Sequence, residues 1–255
     1  MEIDILKGFP GAIRPGKTRW FDPGRRHVPD DVAQTALREG WAREIGPSRV
    51  AAHQAAPRVH RVPRTIVVVG SGPSLRKKDV AYAAKRAELL VVNDNYRLAL
   101  KAPWLYACDG DWWDHHIAAV RRDFAGECWT QDKAAAERHG LKWIESTNRP
   151  GLSTTPGLIH QGGSSGYQAI NLAWHFGATK VVLLGFDMAG TGKRHWFGDH
   201  PEGLMQTSEA GYATQRAAFE TLPGQLEELG LAVINCNPAS AVRCLPIQPI
   251  EEALA

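Results

Sequence analysis

Three stretches of this 255-residue chain set phosphate- and proton-handling residue types among turn formers. The first, Gly70-Ser71-Gly72-Pro73-Ser74, follows the apolar run Ile66-Val67-Val68-Val69 directly. Glycines let a backbone turn tightly and approach an anion, Pro73 pre-sets the turn, and Ser71 and Ser74 add hydroxyls to the N–H groups of a helix start. This reads as a phosphate cradle, although Gly and Ser also serve merely to turn a chain. It lacks the dinucleotide fingerprint, which needs glycine where Leu75 stands, and it lacks the Gly-Lys-Ser/Thr ending of a P-loop. The second stretch, Gly162-Gly163-Ser164-Ser165-Gly166, again sets hydroxyls and N–H groups at a helix start. The third, Lys193-Arg194-His195-Trp196-Phe197-Gly198-Asp199-His200-Pro201, is a glycine- and proline-punctuated loop. Its His195 or His200 could exchange a proton near neutral pH, and Lys193 or Arg194 could neutralise a departing phosphate. The spacing does not support a metal set of His195, Asp199 and His200, so no metal site is expected.

The elements that must carry these residues alternate from Thr65 onward. Strands are expected at 65–69, 89–93, 104–108, 180–185 and 231–236, with weaker ones near Cys128 and Trp143. Helices are expected at 78–85, 111–122, 133–139, 165–176 and 212–229. Strand-length apolar runs between amphipathic helices predict an α/β fold, a Rossmann-like doubly wound, mostly parallel sheet. Such a sheet gathers its strand ends at one edge. That edge would receive Asn93, Asp109 and the Gly185-Phe186-Asp187 turn beside both glycine-serine turns. Asn93 could bond a ribose or base, and Asp109 or Asp111 could orient a hydroxyl or hold a divalent cation through water. Helix capping is an equal role for Asp111.

Before Thr65 the texture differs. Residues 7–26 suggest short strands and turns. Val28-Pro29-Asp30-Asp31 starts a short helix that Gly40 ends, and the Ala-, Arg- and Pro-rich stretch 47–64 reads as a linker. The expected organisation is a small module (1–46), the linker (47–64) and a nucleotide-binding domain (65–255). Residues 1–64 hold 12 Lys and Arg against 7 Asp and Glu, the rest 18 against 20, so the basic surplus lies in this N-terminal segment. Without a dense Lys/Arg run or interleaved aromatics, it does not read as a nucleic-acid groove. Apolar runs are strand-sized, no leader or membrane anchor is read at the N-terminus, and the four cysteines form no Cys-x-x-Cys pair; a reducing cytoplasm is expected.

Two resemblances sharpen the reading. Residues 1–46 resemble small modules encoded among tailed-phage structural genes, which implies a phage-encoded chain, phage structural proteins as partners, and the host cytoplasm or the virion as its place. Residues 65–245 resemble the sialyltransferase-like fold of bacterial oligosaccharide sialyltransferases and the related 6-hydroxymethylpterin diphosphokinase and motility-accessory domains. The matching positions are Ile66–Leu75, Val92-Asn93, Tyr106–Asp109, Gly163–Gly166, Val182–Asp187 and Asn235–Ser240. The resemblance implies a CMP-type nucleotide-sugar donor on Ser71, Gly72, Asn93, Asp109, Ser164, Ser165, Gly185 and Asp187. It also implies a base at His195 or His200. Two departures set sialic acid itself aside: Ser71 stands where that family generally has Asn, and its two phosphate-gripping tyrosines are not evident.

The expected activity is therefore glycosyl transfer from a nucleotide-sugar to an unidentified acceptor. Gly70–Ser74 and Ser164–Gly166 would hold the donor, and Asp187, Arg194 and a histidine would act on it. No firm cofactor is expected. One alternative is a pyrophosphokinase using ATP and Mg²⁺. Another is a non-catalytic virion or assembly protein on the same scaffold.

Overall fold

The computed structural model describes residues 2–6, 9–14, 17–21, 24–28, 30–44, 62–189 and 192–255. The chain divides into two units, residues 1–60 and 61–255. In the first, strands β1 (Glu2–Ile5), β2 (Phe9–Arg14), β3 (Lys17–Phe21) and β4 (Gly24–His27) precede helix α1 (Asp30–Arg38) and strand β5 (Ala42–Glu44). They form an antiparallel sheet β4-β1-β5 and a β2-β3 hairpin. Strands β1 and β5 were not foreseen. Helix α1 carries Asp30 and Asp31 in its first turn, where carboxylates meet the positive end of the helix dipole, and it stops before Gly40 at φ +70°. Val32, Ala33 and Ala36 pack on Ile5, Val28 and Ala42. Pro29 and nearly all of the expected linker lie outside the described residues.

The second unit is built on β6 (Thr65–Val69), α2 (Lys77–Ala83), β7 (Glu88–Val92), a 3-10 helix (Asn93–Leu98), β8 (Trp104–Tyr106), α3 (Gly110–Asp123), β9 (Glu127–Thr130), α4 (Lys133–His139) and β10 (Lys142–Trp143). There follow β11 (Glu145–Thr147), β12 (Leu158–His160), α5 (Ser165–His175), β13 (Lys180–Leu184), α6 (Glu209–Phe219), α7 (Pro223–Leu229), β14 (Ala232–Asn235) and α8 (Ile250–Ala253). Seven strands make one sheet in the order β10-β9-β8-β7-β6-β13-β14, with every pairing parallel.

Both faces of the sheet are covered, which is why its central strands are apolar throughout rather than alternating. Ile66 and Val68 face a core with Ala169, Ile170, Leu172 and Ala173 of α5 and Phe219 of α6. Val67 and Val69 face the other core, with Val80 of α2, Trp112, Trp113 and Val120 of α3, and Ile250 of α8. Each fully buried Val or Ile contributes about 1.5–3 kcal/mol of burial free energy, so the central strands anchor the unit. From β6 the chain steps outward through β7, β8, β9 and β10. It then crosses back to lay β13 against the other side of β6, opening a topological switch point between the carboxyl ends of β6 and β13.

Several expected boundaries are corrected. The helix expected over 212–229 is two, because Pro223 cannot sit inside a helix and instead occupies the first turn of α7. Strand β7 ends at Val92, since Asn93 takes φ +50°. The parallel pair β11-β12 was not foreseen; its strands are three residues each. Its flanking loop hangs on Asn171 of α5, whose side-chain oxygen accepts from the N–H groups of Ser153 and His160. Among the described residues no helix is long and apolar enough to cross a membrane.

Candidate functional site

At the switch point a cleft of about 200 Å³, partly open to solvent, is lined by Gly70–Gly72, Asn93, Asp109, Gly163–Gly166 and Gly185–Asp187. Arg194, His195 and His200 reach it from the following loop, and Thr207, Tyr212 and Gln215 from the approach to α6 and from α6 itself. Most of the residues expected from the sequence therefore converge. Pro73 and Ser74 do not line this cleft; Ser74 borders a separate hollow with Asn237 and Pro238.

The first glycine turn is bonded to the neighbouring strand end. The Gly70 N–H donates to the Leu184 carbonyl and the Gly72 N–H to the Gly185 carbonyl, each at 2.8 Å. The Asp187 carboxylate takes the Ser74 N–H at 3.2 Å and its hydroxyl at 2.7 Å. A side chain at Gly72 would put Cβ 1.9 Å from Asp187 Oδ2 and 2.6 Å from the Gly185 carbonyl. Gly72 is thus required by the approach of the neighbouring strand end. Gly70 and Gly166 make room for the buried Phe186 ring, which would lie 2.9 Å from a Cβ at either position. Helix α2 starts only at Lys77, so the turn does not open on a helix N-terminus. Burial raises the proton affinity of Asp187 above its ordinary value, opposed by the Ser74 hydrogen bonds.

The second turn does open on a helix. Ser164 caps α5, its hydroxyl accepting from the Tyr167 N–H and its carbonyl from that of Gln168, while the Ser165 hydroxyl accepts from the Cys108 N–H at 3.1 Å. Both hydroxyls thus serve as acceptors of a backbone N–H. The first N–H groups of a helix have no intrahelical acceptor, and those of Ser165 and Gly166 have none among the described residues. The positive end of the α5 dipole thus meets the cleft.

Asn93 and Met188, both on the cleft, are the two non-glycine residues with positive φ among those described, each at +50°. Such backbone strain gathers at functional sites. The Asn93 side-chain oxygen is buried and has no hydrogen-bond partner. Asp109 lines the cleft and precedes α3 without a side-chain capping bond, whereas Asp111 lies in the first turn of α3 and does not line the cleft. Burial, with Asp109 beside it, pushes the Cys108 thiol far above its ordinary value, so this cleft cysteine is no thiolate nucleophile.

The histidine loop is fastened from below by Asn95, a residue the sequence reading left without a role. Asn95 Nδ2 reaches the Val69 carbonyl, the Val92 carbonyl and the Ser71 hydroxyl, and its Oδ1 accepts from Trp196 Nε1 at 2.7 Å. The Trp196 N–H donates to the Ser71 carbonyl. Lys193 is turned onto the Trp196 carbonyl, and Arg194 pairs with Asp199 at 3.1 Å. His195 stacks on Phe197 and sits 4.5 Å, centroid to centroid, from His200. Burial, then His200, pushes its pKa down to about 4. His200 is likewise lowered by burial, against the pull of Asp94. Both imidazoles are therefore neutral at pH 7 and able to accept a proton.

Asp94, another residue without an assigned role in the sequence reading, is 1% exposed and lies beneath this loop. Its carboxylate accepts from Arg97 Nη2 at 2.5 Å and Trp112 Nε1 at 3.0 Å, with His200 Nδ1 at 3.7 Å and His116 Nε2 at 3.9 Å. Tyr212 and Gln215 were missed as well. They share a face of α6 by their i, i+3 spacing, and that spacing alone does not mark a cleft wall. Among the described residues, no group of three or more His, Cys, Asp or Glu is placed to hold a metal ion. Compared with protein-family models, curated proteins and solved structures, the chain shows no match.

Proposed function

We propose that the second unit is a nucleotide-sugar-dependent glycosyltransferase of the sialyltransferase-like kind, with a CMP-type donor bound at the switch point. The observation that carries this reading is the meeting, in one cleft, of the unpartnered N–H groups of Ser165 and Gly166 with the neutral, buried imidazole of His200. The first suits a phosphate and the second suits a hydroxyl that must lose a proton.

In the reaction the acceptor oxygen attacks the anomeric carbon, its proton passes to His200, and the bond from that carbon to the phosphate oxygen breaks. The nucleotide leaves with the bonding pair. Charge grows on its phosphate as the bond breaks, so the fixed α5 dipole stabilises the transition state more than the bound donor. Asn93, whose unpartnered oxygen needs a donor, takes a ribose hydroxyl or a base amine. Arg194 can add positive charge only by loosening its Asp199 pair. Asp187 supports the turn instead of reacting, because its oxygens are held by Ser74.

A pyrophosphokinase would hold magnesium through one or two carboxylates together with the substrate phosphates; with Asp187 tied to Ser74 and Asp111 outside the cleft, Asp109 would be its anchor, and magnesium-dependent ATP binding lost in Asp109→Asn would favour that reading over sugar transfer. Release of the leaving nucleotide, CMP from a CMP-linked sugar or the nucleoside diphosphate from UDP-, GDP- and ADP-linked sugars, with water as the slow acceptor, tests the proposal. One donor class should turn over and His200→Gln should lower that rate by about 100-fold or more. No release from any class would refute it.

A further inference from the structure

We propose that Asp94 is the positioning residue of His200, holding its ring as the Nδ1–H tautomer so that Nε2 carries the lone pair used as base. This rests on the reading of His200 as the proton acceptor, and it names the group that makes His200, not His195, fit for that task.

The argument begins with the carboxylate. Asp94 Oδ1 is fixed by Arg97 and Oδ2 by Trp112 Nε1, so neither oxygen can swing away. His200 Nδ1 is buried without a hydrogen-bond partner and faces Oδ2 at 3.7 Å. A bare ring nitrogen there would set its lone pair against an anionic oxygen, whereas an N–H would point a positive hydrogen at it. In a buried site that difference decides the tautomer. The distance is longer than a formed hydrogen bond, as catalytic contacts often are before substrate binds. His195 differs in charge: its Nδ1 meets the neutral Gly198 carbonyl at 3.3 Å, which favours the same tautomer but adds no negative charge to stabilise the imidazolium, and no carboxylate lies within ion-pair distance of it among the described residues.

Other groups around His200 set its proton affinity without fixing its tautomer. Asp109 and Asp199 raise it, and Arg97 lowers it. His195 contacts the ring but is uncharged above about pH 4, and His116 lies across Asp94, beside Oδ1, without lining the cleft. Among these groups Asp94 alone both faces a ring nitrogen of His200 at ion-pair distance and is itself immobilised.

The test uses the full chain with ¹⁵N-labelled histidine, His200 being assigned by its loss in His200→Gln. At pH 7 the wild-type spectrum should show His200 Nδ1 as the protonated nitrogen and Nε2 as the bare one. The reverse pattern overturns the proposal, and since the tautomer is read in the wild-type chain, a misfolded Asp94 variant cannot obscure it. Asp94→Asn should lower the pKa of His200 by about one unit and cut kcat with little change in the donor KM. An unchanged pKa in a folded Asp94→Asn chain would also refute the assignment. These spectra do not depend on turnover. If no donor is ever hydrolysed but the tautomer is as stated, the proposed activity fails while the Asp94–His200 relationship stands.

Discussion

Asp187 Oδ2 accepts a 2.7 Å hydrogen bond from the Ser74 hydroxyl, and the same carboxyl takes the Ser74 N–H, so the glycine turn after β6 already holds an anion belonging to the protein. The carboxyl comes from the end of β13, on the far side of the switch point. This pair stitches together the two strand ends between which the cleft opens. The Gly72 and Ser74 N–H groups are taken up within the protein itself, whereas the first N–H groups of α5 stay open to the cleft.

The stitch makes Gly72 sensitive. A Cβ there meets the backbone Gly185 carbonyl at 2.6 Å as well as Asp187, and backbone cannot yield as a side chain can. Gly72→Ala should destabilise the chain by about 3 kcal/mol, by urea denaturation. Gly224→Ala in α7, where nothing lies within 4 Å, should stay within about 1 kcal/mol of wild type. Equal effects at the two positions would contradict the packing described.

The same carboxyl gives a pH signature. Burial makes Asp187 hold its proton more tightly in the folded chain than in the unfolded one. Such a group adds stability below its unfolded pKa, and that stability is lost as pH rises through the folded pKa. Asp187→Asn removes the dependence. Denaturation midpoints should therefore show wild type gaining on the variant as the pH falls from 7 into the range of the raised pKa. A difference that shrinks on acidification would count against it.

His195 titrates in the opposite sense. Its folded pKa of about 4 lies below the ordinary imidazole value of 6.5, so the stability it contributes is complete above pH 6.5 and is lost as pH falls through 4. The window is worth at most about 3 kcal/mol. Between pH 7 and 4, His195→Gln should lose less stability than wild type; parallel losses would show that His195 is not buried as described.

The loop latch has its own readout. Trp196→Phe leaves the Asn95 Oδ1 acceptor, in a fully buried side chain, without its donor, at a cost of about 1–3 kcal/mol. Amide hydrogen exchange across 192–204 should quicken severalfold while that of β6 and β13 does not. Unchanged exchange in the loop would mean the latch is not what holds it.

The sheet was legible because its strands are buried on both faces: Ile66–Val69 and Val181–Leu184 read as unbroken apolar runs that no surface strand would carry. The site was legible in part, since glycines, hydroxyls and histidines at strand ends are conspicuous types. Their division of labour was not. Ser74 and Ser165 offer the same hydroxyl in sequence, yet one meets a carboxylate from β13 and the other the N–H of Cys108, partners more than 50 residues away. Asp94 and Asn95 sit side by side in a string that looks like a polar strand end. Only the 3-10 helix turns one toward His200 and the other toward Trp196. Tyr212 was hidden for a simpler reason, because a helix expected to run unbroken past Pro223 gave no sign of which face closes the cleft.

The central claim is that a nucleotide occupies the switch-point cleft against α5 and Asn93. Calorimetric titration of the full chain with CMP-, UDP-, GDP- and ADP-linked sugars, repeated on Asn93→Gly, tests it most directly, because glycine keeps the positive φ and removes only the carboxamide. One class should bind with one-to-one stoichiometry and lose about tenfold in affinity in the variant, the worth of about one hydrogen bond. No heat from any of the four, or the same affinity in both proteins, would contradict it.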